Sequence, residues 1–384
     1  MRHRSALVLA CVIALLWSAG CGTSSHADPA SSGTASGNAF LYVSDTLGNS
    51  ISAFSINNSQ GNLTPIAGFP FTTSGTAPGR LTVDRQQRFL FGLNTGSATL
   101  SSYLINTQTG ALISGGTATV PSNAHSLVAH PSASFVYVLS GEAVSGFSYD
   151  AAGFLTPVTN SPQTLSAAAT QGIAIDSSGS HLFVTTVSGI SAFQIGSDGG
   201  LTLLNSSGAP AGVQLADAAA DPAANFIYSV ASSSGAESQG NLFGWTFTGG
   251  TGLNAGFIAT PGTPLQADVN PVWLTLVPSG AFAYVAAGST GSGEILGYSL
   301  SANGQPIPLA GSFASKPNPV QLAADPSGKF LYALNVNSST SSPPSVSDNI
   351  SGFLINTAGM LTPVSGTSVT VASPGGIAIA RIGP

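Results

Sequence analysis

The chain has 384 residues, of which only 6% are charged, with 47 glycines, 24 prolines, 2 cysteines and a formal net charge of −6. So few Lys and Arg leave no basic surface to hold nucleic acid, and that class of partner is excluded. Two cysteines exclude a disulfide framework, and a chain this long can draw its stability from buried apolar surface instead.

Residues 1–20 read as an export signal. Arg2 and Arg4 form the charged start, and Ala6 to Trp17 is apolar but too short to span a membrane, which takes about 20 residues. Ser18-Ala19-Gly20 precede Cys21, as small residues do at a bacterial lipoprotein cleavage site, although Ser18 stands where Leu is usual. Lipid attachment at Cys21 is therefore expected. Cys11 would leave with the signal, and losing Arg2 and Arg4 leaves 6 basic against 14 acidic residues, a net of −8. Residues 21–37 are a Ser/Gly/Thr/Ala tether without apolar periodicity. The expected location is outside the cytoplasm: lipid-anchored at a bacterial envelope, or periplasmic or secreted. The membrane is met only through that lipid, and the protein is expected to be a monomer.

From residue 38 to the end the chain repeats one pattern, clearest from Asn318 to Leu334. A short apolar strand ends at Ala324, Asp325-Pro326-Ser327-Gly328 makes a tight turn, and a second apolar strand starts at Phe330. The second strand recurs at Phe40, Phe89, Phe135, His181, Phe226, Phe282 and Phe330, at spacings of 49, 46, 46, 45, 56 and 48 residues. A third segment follows each copy, as in Ile51 to Ile56 and Ile350 to Ile355. A weaker fourth follows in several, as in Leu63-Thr-Pro-Ile66 and Leu361-Thr-Pro-Val364, where proline suits an outer edge strand. Four short strands per unit of about 45 residues, with β-branched and aromatic runs and no helical period after residue 20, predict a seven-bladed β-propeller in one domain, 38–384. The first unit lacks its innermost strand, and Gly375 to Ala380 supplies one at the far end. The ring is therefore predicted to close by pairing the C-terminal strand into the first blade, leaving no open edge.

No phosphate loop, Cys-x-x-Cys, Gly-x-Ser-x-Gly or His-Glu-x-x-His is present. What a propeller does offer is a ring of positions at the mouth of the central channel, where the innermost strands begin. Aligning the units on their turns places Gly79, His125, Gln171, Ala216, Val272, Val320 and Gly375 in one ring. Arg80, Ser126, Gly172, Asp217, Trp273, Gln321 and Gly376 form the next. Arg80, His125, Gln171, Asp217, Trp273 and Gln321 are thus candidates for one polar pocket with an aromatic wall, suited to a sugar-like or carboxylate ligand. His125 and Arg80 are the candidate catalytic pair; Gln171, Asp217, Trp273 and Gln321 are candidate ligand-binding residues. The same side chains can instead simply line a hydrated channel. Asp84, Asp176, Asp221 and Asp325 read as turn formers, His130 as a histidine in that turn position, and His181 as a packing residue in place of Phe. Glu142, Glu237 and Glu294 lie on different blades, so no metal site is expected. No motif calls for a cofactor, and a divalent cation stays open. Longer loops at Ser232 to Asn241 and Asn337 to Asn349 lie on one rim, as binding surface or as tolerated drift.

The repeated Pro-x-x-apolar-x-x-[Asp/Val]-Pro-Ser-Gly-x-Phe-x-Tyr pattern, best seen at Asn123 to Val138, Asn270 to Val285 and Asn318 to Leu334, resembles the lactonase-type seven-bladed propellers, which include 6-phosphogluconolactonases. The resemblance covers about residues 38–382. It implies hydrolysis of a sugar lactone at the channel mouth, with His125 and Arg80 at positions similar to the family's His and Arg. Two acidic segments of the family pattern are replaced, by Leu139-Ser140-Gly141 and by Ala286-Ala287. A second function therefore stands beside the first: a non-catalytic propeller that binds a glycan or an envelope protein.

Overall fold

The structure is a computed structural model and describes residues 38–208, 213–233, 239–249, 256–287, 293–336, 350–367 and 369–382. The expectations for residues 1–37, the signal, the lipidated Cys21 and the tether, lie outside these, as does the loop 337–349. Among the described residues there is no helix, and the strands form seven antiparallel sheets arranged as the blades of a propeller.

Each blade is built on the strand that opens with Phe or His. Phe330–Asn335 and Phe89–Asn94 are buried on both faces, because successive side chains point alternately at the preceding and the following blade. The apolar core is accordingly divided among the seven blade junctions. Leu41 and Val43 pack on Tyr332 and Leu334, for example, whereas Tyr42 and Phe40 pack on Leu90 and Tyr103. Stability is therefore mostly a matter of neighbour-to-neighbour packing.

The ring closes as the repeat predicts. Pro374–Arg381 pairs antiparallel with Ala39–Asp45, with Phe40 opposite Ala380 and Leu41 opposite Ile379. Outer strands that sequence patterning leaves faint are present too, at Leu112–Thr119, Phe257–Ala259 and Pro306–Ser315. In the first, third and fifth blades a short second outer segment pairs with the far end of the third strand: Phe71–Thr72, Gln163–Thr164 and Leu265–Val269.

The turn residues act as expected. Asp325 Oδ1 accepts from the backbone N–H groups of Lys329 and Phe330, and Asp84 Oδ1 from those of Arg88 and Phe89. His130 does the same with Nδ1, accepting from Ser132 and Ala133, so Nε2 carries the proton and donates to the Gly179 carbonyl 2.8 Å away on the next blade.

Two further contacts repeat around the ring and lock each blade to the next. The Phe that opens the second strand lies against a left-handed glycine in the next blade's outer turn. A Cβ on Gly61 would lie 2.5 Å from the Phe330 ring, and one on Gly110, 2.6 Å from Phe40. Two residues on, a tyrosine hydroxyl donates to that glycine's carbonyl: Tyr42 to Gly110, Tyr137 to Gly199, Tyr228 to Gly304, Tyr284 to Gly359 and Tyr332 to Gly61. Blade two has Phe91 there, and the Ser102 hydroxyl on the adjoining strand donates to Gly153 instead.

Candidate functional site

The site begins with a defect in the regular ladder. Six of the seven innermost strands carry a register shift at the same place, next to Arg80, Gln171, Asp217, Trp273, Gln321 and Gly375. A bulge sets two residues against one and re-aims the side chains beside it. Consecutive ring positions can therefore serve the same channel mouth, which strict alternation along a strand would forbid.

Three of the reoriented side chains reach the backbone of the following blade. Asp217 Oδ2 accepts from the Leu274 N–H at 2.9 Å. The Trp273 indole N–H donates to the Leu322 carbonyl at 3.0 Å. The Gln321 amide pairs with Ile377 as a peptide group would, its Nε2 donating to the carbonyl at 2.9 Å and its Oε1 accepting from the N–H at 3.0 Å. In two other blades the position is glycine because the strands themselves touch. A Cβ on Gly172 would lie 2.6 Å from the Ala218 nitrogen, and one on Gly376, 2.8 Å from the Gly79 carbonyl oxygen.

Arg80 crosses the channel instead. Its Nη1 donates to Gln321 Oε1 at 3.2 Å and its Nη2 to Gln171 Oε1 at 2.9 Å, and its Cζ sits 4.3 Å from the centre of the Trp273 ring. Two N–H groups of the five-donor fork are thereby held and the aromatic face fixes its plane, leaving three donors for a ligand. Burial lowers the pKa of this guanidinium, and the Asp217 charge acts against that shift. Below the fork lies a cavity of about 310 Å³ whose wall takes residues from the innermost strands of all seven blades, among them Arg80, Ser126, Ile173, Asp217, Trp273, Gln321 and Ile377.

Asp217 is the acid of this cavity. It is 3% exposed, and burial pushes its carboxyl up to about 7, against the lowering effect of the Leu274 and Ala218 N–H groups and of Arg80. Its protonation therefore changes near neutral pH, where a carboxyl can act both as base and as acid.

Of the six candidates, the structure gathers Arg80, Gln171, Asp217, Trp273 and Gln321 at one mouth; His125 stands apart from them. Its Nδ1 faces the Asn123 carbonyl at 3.0 Å and its Nε2 the Thr170 carbonyl at 2.5 Å, and the ring does not line the cavity. Both nitrogens point at carbonyl oxygens, so neither offers a lone pair to a water in the channel. The reason is local. His125 precedes the short innermost strand Ser126–Ala129, in the one blade without the shared register shift, so nothing turns its ring inward. Among the described residues, no group of three or more His, Cys, Asp or Glu is placed to hold a metal ion.

Residues 21–130 match the model of the family described as lactonase, 7-bladed beta-propeller. No curated protein matches the chain. Among solved structures, a candidate 6-phosphogluconolactonase from Bacteroides uniformis is similar at 19% identity and TM-score 0.68, covering 90% of this chain and 99% of that one. The periplasmic gluconolactonase PpgL of Pseudomonas aeruginosa is similar at 17% identity and TM-score 0.66, with 90% and 99% covered. A protein from Lactobacillus plantarum is similar at 14% identity and TM-score 0.66. At these identities the likeness is one of fold.

Proposed function

We propose, from the lactonase-family match over residues 21–130 and the geometry of the channel, that the protein binds a small sugar lactone at the channel mouth and opens its ring by hydrolysis. The observation that carries this reading is the pairing of Arg80 and Asp217 in one cavity. Arg80 presents a plane-locked cationic fork, and Asp217 is a buried carboxyl titrating at about 7. In the proposed step the ionised Asp217 takes a proton from a water as its oxygen adds to the lactone carbonyl. The oxyanion that develops is held by the free N–H groups of Arg80. When the ring C–O bond breaks, Asp217 returns the proton to the leaving alkoxide, and the product is the open hydroxy acid. The base assigned here is Asp217 and not His125, because the His125 nitrogens are both directed at carbonyls.

The test is acid release from a panel of five- and six-membered sugar lactones, followed by pH-stat and corrected for spontaneous opening. Asp217→Asn and Arg80→Met should lower turnover by a factor of 100 or so, the scale of a general base or a single oxyanion donor. His125→Ala should keep it. Turnover lost in His125→Ala with the fold intact would return the base to His125.

A second reading has its own support. Asp217, Trp273 and Gln321 already spend polar atoms on bonds between blades, which suits a rigid cup for a glycan or sugar acid without chemistry. Saturable binding of a sugar acid with no turnover on any lactone would favour it. Export with lipid on Cys21 belongs to the same proposal, and palmitate labelling lost in Cys21→Ala would test it.

A further inference from the structure

The junction between the fourth and fifth blades departs from the other six. The strand there opens with His181 where its counterparts have Phe, and Phe183 replaces the tyrosine found in five other blades. Phe183 has no hydroxyl to donate, so the tyrosine lock is missing here. The ring of His181 is turned toward its own blade's turn acid, with Nδ1 2.7 Å from Asp176 Oδ2, and its edge lies against Phe247 with ring centres 5.0 Å apart.

The space left is a cavity of about 210 Å³. Its floor is the buried pair Phe183 and Phe247, its rim is the exposed Ser178 and Thr248, and its polar pole is the Asp176–His181 pair. The pole has a definite chemistry. A carboxylate facing Nδ1 fixes the proton there, and Asp176 is held below the usual carboxylate range by its hydrogen bonds to His181 and Ser178, despite burial acting the other way. Nε2 of the neutral ring then carries a lone pair, and among the described residues no protein group bonds to it. An apolar cavity of roughly 150 Å³ already accommodates a benzene ring. The size, the aromatic floor and the acceptor at Nε2 together suit one ring bearing a hydroxyl donor.

We propose that this cleft between blades four and five is a second binding site, separate from the channel, that takes a single-ring aromatic alcohol, its ring on Phe183 and Phe247 and its hydroxyl donating to His181 Nε2. The repeat supplies the decisive variants. His181→Phe restores the residue of six blades and Phe183→Tyr the residue of five, so both fill the cavity in a way the fold already accepts.

The probe is 4-fluorophenol, titrated into the full-length protein and read by ¹⁹F NMR, with a crystal soak to locate it. A ligand of this size binds with Kd on the order of 1 mM. Saturable binding by the wild type, weakened at least tenfold in His181→Phe and in Phe183→Tyr with Tm unchanged or raised, supports the site. 4-Fluorotoluene, which has no donor, should bind at least fivefold more weakly. Equal affinity in the wild type and both filled variants, or density elsewhere in the soaked crystal, overturns the proposal. Equal affinity for the two probes overturns the role given to His181.

Discussion

Asp217→Asn gives the sharpest test of the channel's electrostatics. A carboxyl that titrates at 3.8 when exposed and at about 7 when folded binds its proton more tightly in the native state. Between those values the native protein holds a proton that the unfolded chain has lost, so stability falls as pH rises from about 4 to about 7 and is level above that. At 1.36 kcal/mol for each pH unit the interval amounts to roughly 4 kcal/mol, an upper figure because relaxation and water entry soften a buried charge. Asparagine keeps an oxygen for the Leu274 N–H and never ionises, so the variant should lack this slope. Urea unfolding of both proteins at pH steps from 4.5 to 8.5 isolates the effect, since every other titrating group is shared and cancels in the difference. The two proteins should be close at pH 4.5, and the variant should be more stable by a few kcal/mol at pH 8. A flat difference curve, or a variant less stable at pH 8, would show that the charge is solvated or neutralised by Arg80. Asp217 could not then be a base poised near neutrality.

Two other consequences follow from the way the blades are joined. Tyr332→Phe removes the hydroxyl that donates to the buried Gly61 carbonyl at 2.6 Å, and should cost about 1–3 kcal/mol by urea unfolding; a cost below about 0.5 kcal/mol would mean that water replaces the bond. Deleting residues 374–384 removes the strand paired with Ala39–Asp45 and opens the apolar seam beneath Leu41 and Ile377, so cooperative unfolding and monodispersity on gel filtration should both be lost. A soluble, monomeric truncation with an unchanged Tm would refute closure through that strand.

The fold was legible because its information is local and repeated. Six of the seven second strands begin at the residue the spacing marks, and the first begins one residue earlier, at Ala39, since a strand buried on both faces must be apolar throughout. His130 as a stand-in for the turn aspartate was readable for the same reason: a ring nitrogen can accept the N–H bonds that a carboxylate oxygen does. The outer strands were harder, because a solvent-facing edge tolerates polar residues, as in Leu112–Thr119. The channel ring was readable as a set of positions, but the direction of each side chain was not. His125 and Gln171 occupy equivalent places in the repeat, yet only Gln171 meets Arg80, and the difference is a register shift present in one blade and absent in the other. Nor does sequence show that Trp273 and Gln321 spend their polar atoms on the next blade, since those partners are backbone groups that any residue could supply.

That double use of the ring constrains what the channel can become. A residue that both stitches two blades and faces the cavity cannot be exchanged for chemistry alone, because the carbonyl or N–H it leaves behind is buried and unpaired. Arg80 is the exception among the reaching side chains. Its bonds go to the side chains Gln171 and Gln321 across the channel, and the strands on either side of it meet through Gly79 and Gly376 without its help. The fold therefore leaves Arg80 free to change at little cost to the ring, whereas Gln321, which holds both Ile377 and Arg80, links the scaffold to the site. A substitution at Gln321 should lower stability and loosen the guanidinium together, while one at Arg80 should alter ligand binding and leave the propeller standing. Selection on the ligand can thus act at Arg80, and selection on the fold at its brace.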